Sequence, residues 1–286
     1  MKLKNTNIII TGASHGFGKL VSERFLSEGA NISICARNQE DLTNTQLELT
    51  CKFPNQKILK KSCDVSDESQ VKDFIDYSID EFKIIHGIVL NAGIYGPMGP
   101  IESISLTEWK RAIDINLFGV VLPCRSIIPH FKTNKSGKII IISGGGATNP
   151  MPNISAYAAS KAAVVRLTET ISEELRGFGI DVNALAPGPM LTRLTEIVLN
   201  AGPETVGEEF FNRNKKWKEE GIDSSYQAAD LAIYLIGSQS NGITGKLISA
   251  KWDNWKELDN HLKELNESDI YCLRRIVPTD RNKDWS

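Results

Sequence analysis

The sequence predicts an α/β protein built on one doubly wound parallel sheet of about seven strands, arranged in three layers. Three observations predict it: short β-branched runs alternate with longer amphipathic stretches, the runs are nearly all apolar, and a glycine-rich turn follows the first of them. Strands buried on both faces read as continuous apolar runs, and regular strand–helix alternation implies parallel crossovers.

The first strand is expected at 7–10, leading into Thr11-Gly12-Ala13-Ser14-His15-Gly16-Phe17-Gly18 and a helix running to about Glu28. Such a turn lets backbone approach a pyrophosphate, while the helix behind it offers free N–H groups and the positive end of its dipole. The second strand, 31–35, ends at Cys35-Ala36-Arg37-Asn38, with no carboxylate where a ribose 2′-hydroxyl would be held. Arg37, helped by His15 and Asn38, suits a 2′-phosphate instead, which favours NADP(H) and leaves NAD(H) possible. Further strands are expected at 57–62, 86–90, 138–142, 181–184 and 246–249, with long helices at about 105–131 and 155–177.

The stretch Ser155 to Lys161, SAYAASK, sets Tyr157 and Lys161 four residues apart, on one face of a helix. A phenol titrates near ~10, so a tyrosine moving protons near neutrality needs a cation beside its phenolate, and Lys161 is placed to be that cation. Lowering a phenol by two to three pH units takes roughly 3–4 kcal/mol.

The 286 residues are 41% apolar and 24% charged, which fits a globular chain able to bury a sizeable core. We expect one domain over 1–250 and a C-terminal extension over 251–286, packed on that domain or on a neighbouring subunit. A net charge of −2 gives no electrostatic case for nucleic acid or an anionic membrane as partner. Five cysteines, Cys35, Cys51, Cys63, Cys124 and Cys272, are odd in number and lack CxxC spacing. They read as buried or free thiols rather than a disulfide framework or zinc site, and no metal is expected. No apolar run approaches the ~20 residues of a membrane span and the N-terminal run is too short for a signal peptide, so the expected location is cytoplasmic.

Over residues 5–250 the chain resembles the single-domain branch of the short-chain dehydrogenase/reductase family. The resemblance rests on TGASHGFG at 11–18, Asp64-Val65, Asn91-Ala92-Gly93, Asn116 in DINLFG, Ser143, Tyr157 with Lys161, and Pro187-Gly188 followed by Thr192. It implies a Rossmann-type fold and a reaction in which a hydride moves between NAD(P) and a small carbonyl or alcohol. Gly12, Ser14, His15, Gly16, Phe17, Gly18, Arg37 and Asn38 would then hold the cofactor together with Asp64 and Val65 at the adenine. Asn91, Ala92 and Gly93 would steady the sheet centre and pass close to the cofactor, and Pro187, Gly188 and Thr192 would lie near the nicotinamide.

The catalytic group implied by the resemblance is Asn116, Ser143, Tyr157 and Lys161. Tyr157 would exchange the proton, Lys161 would also hold the nicotinamide ribose, and Asn116 would support a water relay. One departure concerns the serine: many relatives carry it thirteen residues before the tyrosine, which here is Gly144, so Ser143 stands one place early. Successive strand residues face opposite ways, and Ser143 fills the role only if the glycines at 144–146 let the chain turn.

Other readings are a sugar-nucleotide epimerase or dehydratase of the same fold, and a non-catalytic NADP-binding regulator. The glycine pattern and the lack of a large substrate domain argue against the first, and the intact Tyr157/Lys161 pair against the second. Residues 190–227 lie where the family carries a substrate lid, with Phe210, Phe211 and Trp217 as candidate pocket linings. Trp255, Leu258, Leu262 and Leu265 form an apolar stripe at helical spacing, while Arg274 or Arg275 could meet an anionic group. The resemblance also implies a homodimer or homotetramer, built on the two long helices and on the sheet edge at 246–249.

Overall fold

The computed structural model describes residues 1–285. Seven strands form one sheet: β1 (Asn7–Thr11), β2 (Asn31–Ala36), β3 (Ile58–Ser62), β4 (Gly87–Leu90), β5 (Gly137–Ile142), β6 (Ile180–Ala186) and β7 (Leu247–Ser249). All pair in parallel, in the order β3-β2-β1-β4-β5-β6-β7. The order reverses between β1 and β4. Crevices for ligands in open α/β sheets open at that point, beyond the carboxyl ends of the strands.

Alternation along the strands divides the core in two. Ile8 and Ile10 of β1 face α1 (Gly16–Ser27), α2 (Gln39–Lys52) and α10 (Ser225–Ile236), with Phe25 and Leu235 among the residues packed there. Ile9 faces the other layer, α3 (Glu68–Phe82), α5 (Gly119–Asn134) and α6 (Ser155–Glu174), which contributes Phe74, Phe131 and Val164. Phe25, Phe74 and Phe131 are fully buried, each stabilising the fold by roughly 1.5–3 kcal/mol.

The long helix expected at 105–131 is interrupted. It comprises α4 (Leu106–Ile113), a π-turn over Asp114–Phe118 and α5. Taken whole, Leu106–Asn134 is long and apolar enough to cross a membrane, yet Ala112, Ile115, Val120, Cys124, Ile127 and Phe131 are buried within this domain. The segment expected to form a lid folds as α7 (Arg193–Ala201), α8 (Pro203–Val206) and α9 (Glu208–Glu219).

The C-terminal extension packs on its own domain. Where one helix was expected, a 3-10 segment (Trp255–His261) precedes a short α11 (Leu262–Glu267). Trp255, Leu258 and Leu265 are nevertheless buried in the core against α10, with Leu262 packed beside them. The tail then crosses the outer edge of β7, where the Leu247 N–H donates to the Tyr271 carbonyl at 2.8 Å. The Lys246 ammonium reaches the Ser268 carbonyl, and the Leu273 N–H reaches the Glu169 carboxylate. Arg274 pairs with Asp269 and Asp280, so its charge is used inside the tail. All five cysteines are free, with Cys35, Cys63 and Cys124 buried.

Candidate active site

The glycine turn closes against the end of β4 so tightly that side chains are excluded. A Cβ on Gly12 (φ +65°) would lie 2.8 Å from the Ala92 Cα, and one on Gly18 would lie 2.3 Å from the Gly12 carbonyl. The Asn91 side chain donates to the carbonyls of Thr11 and Gly12, while the Thr11 hydroxyl accepts from the N–H groups of Asn91 and Ala92. These bonds fasten β1 to β4 where the strand order reverses. His15 stands at the N-cap of α1 without a side-chain cap bond, and no side chain among the described residues caps the first N–H groups of that helix. A bare backbone cradle at an uncapped helix start fits a pyrophosphate. Thr192 lies across the turn, its Cβ 3.8 Å from where a Gly16 Cβ would be, and its hydroxyl accepts from Leu194 at the start of α7. Pro187 and Gly188 (φ +81°) form the turn after β6, where a Cβ on Gly188 would lie 3.2 Å from the side chains of Ser224 and Lys251.

At the end of β2, Arg37 is exposed and its charge helps hold the Asp64 carboxyl low. Burial raises that carboxyl, but bonds accepted from the Ser66 hydroxyl and N–H outweigh it, leaving it below the usual range. Asp64 is thus engaged as a turn acid, and Val65 is buried against Gly119. The Asn38 side chain caps α2, accepting from Glu40 and Asp41, so it faces its own helix rather than a ligand. The His15 ring contacts the Ser14 hydroxyl and lies 3.8 Å from the Asp41 carboxylate.

The central group converges from four elements. Asn116, in the π-turn, is bound on both sides of its amide. It accepts from the Ile94 N–H at 2.8 Å and donates to the Ile94 carbonyl and the Ser160 hydroxyl. Such π-turns recur at functional sites because they re-aim one residue of a helix. A Cβ on Gly93 would lie 3.3 Å from the Asn116 Oδ1 and 3.6 Å from the Lys161 Nζ, so this glycine leaves the ammonium room. Lys161 is buried and donates to the Ile142 carbonyl at 2.8 Å, with its Nζ 5.6 Å from the centre of the Tyr157 ring. Burial pulls the Lys161 ammonium down to about 8, and it pushes the Tyr157 phenol well up, with Tyr95 adding to the effect. The sequence reading expects the lysine to pull the phenol down. In the protein alone, the ammonium is bound to a strand carbonyl and desolvation dominates.

Ser143 continues the strand, its N–H bonded to the Leu185 carbonyl, and its hydroxyl is buried without a partner among the described residues. Gly144 remains extended (φ −176°, ψ 174°), so the glycines do not absorb the one-residue slip. A Cβ on Gly144 would meet the Tyr157 hydroxyl at 2.2 Å. Position 144 therefore faces the tyrosine, and the Ser143 side chain points the other way.

One neighbour, Tyr95, is not singled out by the sequence. The Tyr95 ring packs edge-on against Tyr157 at 4.8 Å between centroids, and Phe210 of α9 packs on Tyr95 at 6.2 Å. Arg213 lies over Phe210 and Trp217, so among the expected lid aromatics it is Phe210 that reaches the site. Tyr95 had a signal: it stands two places beyond Asn91-Ala92-Gly93, in the loop at the carboxyl end of a central strand.

Residues 6–201 match the family model described as short chain dehydrogenase. Levodione reductase of Leifsonia aquatica is 32% identical over 247 residues, covering 84% of this chain and 91% of that protein. The crystal structure of levodione reductase matches with a TM-score of 0.78 at 27% identity, covering 86% of this chain and 96% of its own. A 3-ketoacyl-(acyl-carrier-protein) reductase from Brucella melitensis, complexed with NADH, matches with a TM-score of 0.74, also at 27% identity, covering 86% and 96%.

Proposed function

The chain belongs to the short-chain dehydrogenase family, and from that membership we propose that it moves a hydride between NADP(H) and the carbonyl or secondary alcohol of a small molecule. The observation that carries this reading is the convergence of Tyr157, Lys161, Asn116 and Gly93 at the carboxyl end of the sheet, beside the uncapped glycine turn. The names of the relatives, a levodione reductase and a 3-ketoacyl reductase, point to ketone chemistry as well.

A bound nicotinamide supplies or accepts the hydride, and the chain handles the proton and the orientation. Gly12, Ser14, Gly16, Phe17 and Gly18 hold the pyrophosphate. Asp64 and Val65 border the adenine, Asn91 and Ala92 fix the sheet centre, and Pro187, Gly188 and Thr192 flank the nicotinamide. In reduction, the Tyr157 hydroxyl gives its proton to the substrate oxygen. A unit positive charge 5.6 Å from the ring centre stabilises the resulting phenolate by about 3 kcal/mol at an effective dielectric of about 20, worth about two pH units. Lys161 supplies that charge and holds the ribose, and Asn116 keeps the π-turn in place beside it. Ser143, which the sequence offers for orienting the carbonyl, stands outside this group, its hydroxyl buried on the far side of the extended backbone at Gly144.

Arg37 and His15, with no acid at position 36 or 37, support NADP(H). The Asp41 carboxylate beside His15 favours a second reading, NAD(H), because an acid near the ribose suits a free 2′-hydroxyl. The test follows nicotinamide absorbance with NADPH and NADH across a panel of ketones and secondary alcohols, for the starting protein and for Tyr157→Phe. We expect faster turnover with NADPH, and Tyr157→Phe to lose about 10²–10⁴-fold while still binding NADPH. Near-normal turnover in a folded Tyr157→Phe protein would assign the proton to another group. Equal affinities for the two cofactors would favour NAD(H).

A further inference from the structure

A carbonyl that accepts a hydride gains negative charge on its oxygen, and a second hydrogen-bond donor beside the proton donor both aims the carbonyl and stabilises that charge. In this chain the position facing the Tyr157 hydroxyl is a glycine, and that hydroxyl already occupies the space a side chain on Gly144 would need. Ser143 does not replace it. Its hydroxyl has essentially no accessible surface and lies on the opposite side of an extended backbone.

Tyr95 is differently placed. It follows the end of β4, it is only partly buried, and its ring lies edge-on to Tyr157 at 4.8 Å and an interplanar angle of 67°. Phe210 braces it from the α9 side. The Tyr95 hydroxyl makes no hydrogen bond to any described residue, so its proton is uncommitted. We propose that Tyr95 is a catalytic residue of this chain, its phenol donating the second hydrogen bond to the substrate oxygen in the role Gly144 cannot fill. Burial raises the Tyr95 phenol to about 12, so it remains a protonated donor across the working range.

The proposal rests on Tyr157 as proton donor, and the experiment separates the two. Tyr95→Phe, Ser143→Ala and Tyr157→Phe are compared in steady-state ketone reduction, with NADPH binding measured by calorimetry for each. Tyr95→Phe keeps the ring and its packing, so a merely structural role predicts unchanged kinetics. We expect its kcat to fall by about 10²-fold, the loss typical of removing one such donor, with KM and NADPH affinity nearly unchanged. Ser143→Ala should retain most activity. The reverse pattern, a neutral Tyr95→Phe with a damaged Ser143→Ala, overturns the proposal and leaves the Tyr157 reading intact. A neutral Tyr157→Phe, or a starting protein that reduces none of the ketones, overturns the reading beneath it and the proposal with it.

Discussion

Lys161 carries the charge on which the site depends, in a place where charge is costly. With its ammonium drawn down to about 8 by burial, it is cationic below that pH and neutral above it in the cofactor-free chain. Holding the ribose requires the cation. Affinity for NADPH should therefore fall as pH rises through 8, by up to about tenfold per pH unit, which calorimetry at pH 7 and 9 measures. The stability of the cofactor-free chain should move the opposite way. An unfolded lysine keeps its proton to about 10.4, so between about 8 and that value the unfolded state binds more protons and the fold gains stability with rising pH. Pairing Tyr157 with Lys161 needed only their spacing and was legible in the sequence. The bond from Lys161 to the Ile142 carbonyl was not, because it joins side chain and backbone from elements that meet only in the folded sheet. Asn38 misled for a related reason: an asparagine after a strand can face a ligand or cap the next helix, and the helix took it.

Elements were legible where one physical demand dominated. All seven strands overlap the runs the sequence marks, most of them apolar because parallel strands covered on both faces leave little room for polar residues, while β3 at the sheet edge carries Lys60, Lys61 and Ser62. The π-turn at Asp114–Phe118 was hidden, since one extra residue in a helix barely disturbs an apolar periodicity. In the tail the expected helix is partly 3-10, yet the buried residues were read correctly: Trp255 and Leu258, three apart, share a side in either geometry. The turn after β5 was the least legible, since three glycines permit many paths and only the folded chain shows Gly144 extended. That turn yields a prediction. Gly144→Ala adds a methyl where the Tyr157 hydroxyl lies, in a backbone conformation any residue adopts, so the fold should persist while the tyrosine is displaced. We expect thermal unfolding close to that of the starting protein and ketone turnover reduced at least tenfold, in line with the cost of misplacing a reacting group. Full activity would show that the hydroxyl works from another position.

At the scale of the whole molecule, the tail bears on assembly. Leu106 and Phe118 are exposed on the α4–α5 side and leave that face open to a second copy. The edge of β7, the other expected interface, is met by the chain itself through the Tyr271 carbonyl, with Ser268 on the Lys246 ammonium beside it and Leu273 tied to Glu169 of α6. The species we expect in light scattering is therefore a dimer; a tetramer at micromolar concentration would mean the tail yields its place or that copies meet over it. The same closure has a consequence in time. Only 24 positions separate Leu247 from Tyr271, so the carbonyl that satisfies the Leu247 amide follows it closely out of the ribosome and the strand edge is bare only briefly. Closing so short a loop is fast, so the strand meets its own tail before it meets a second chain.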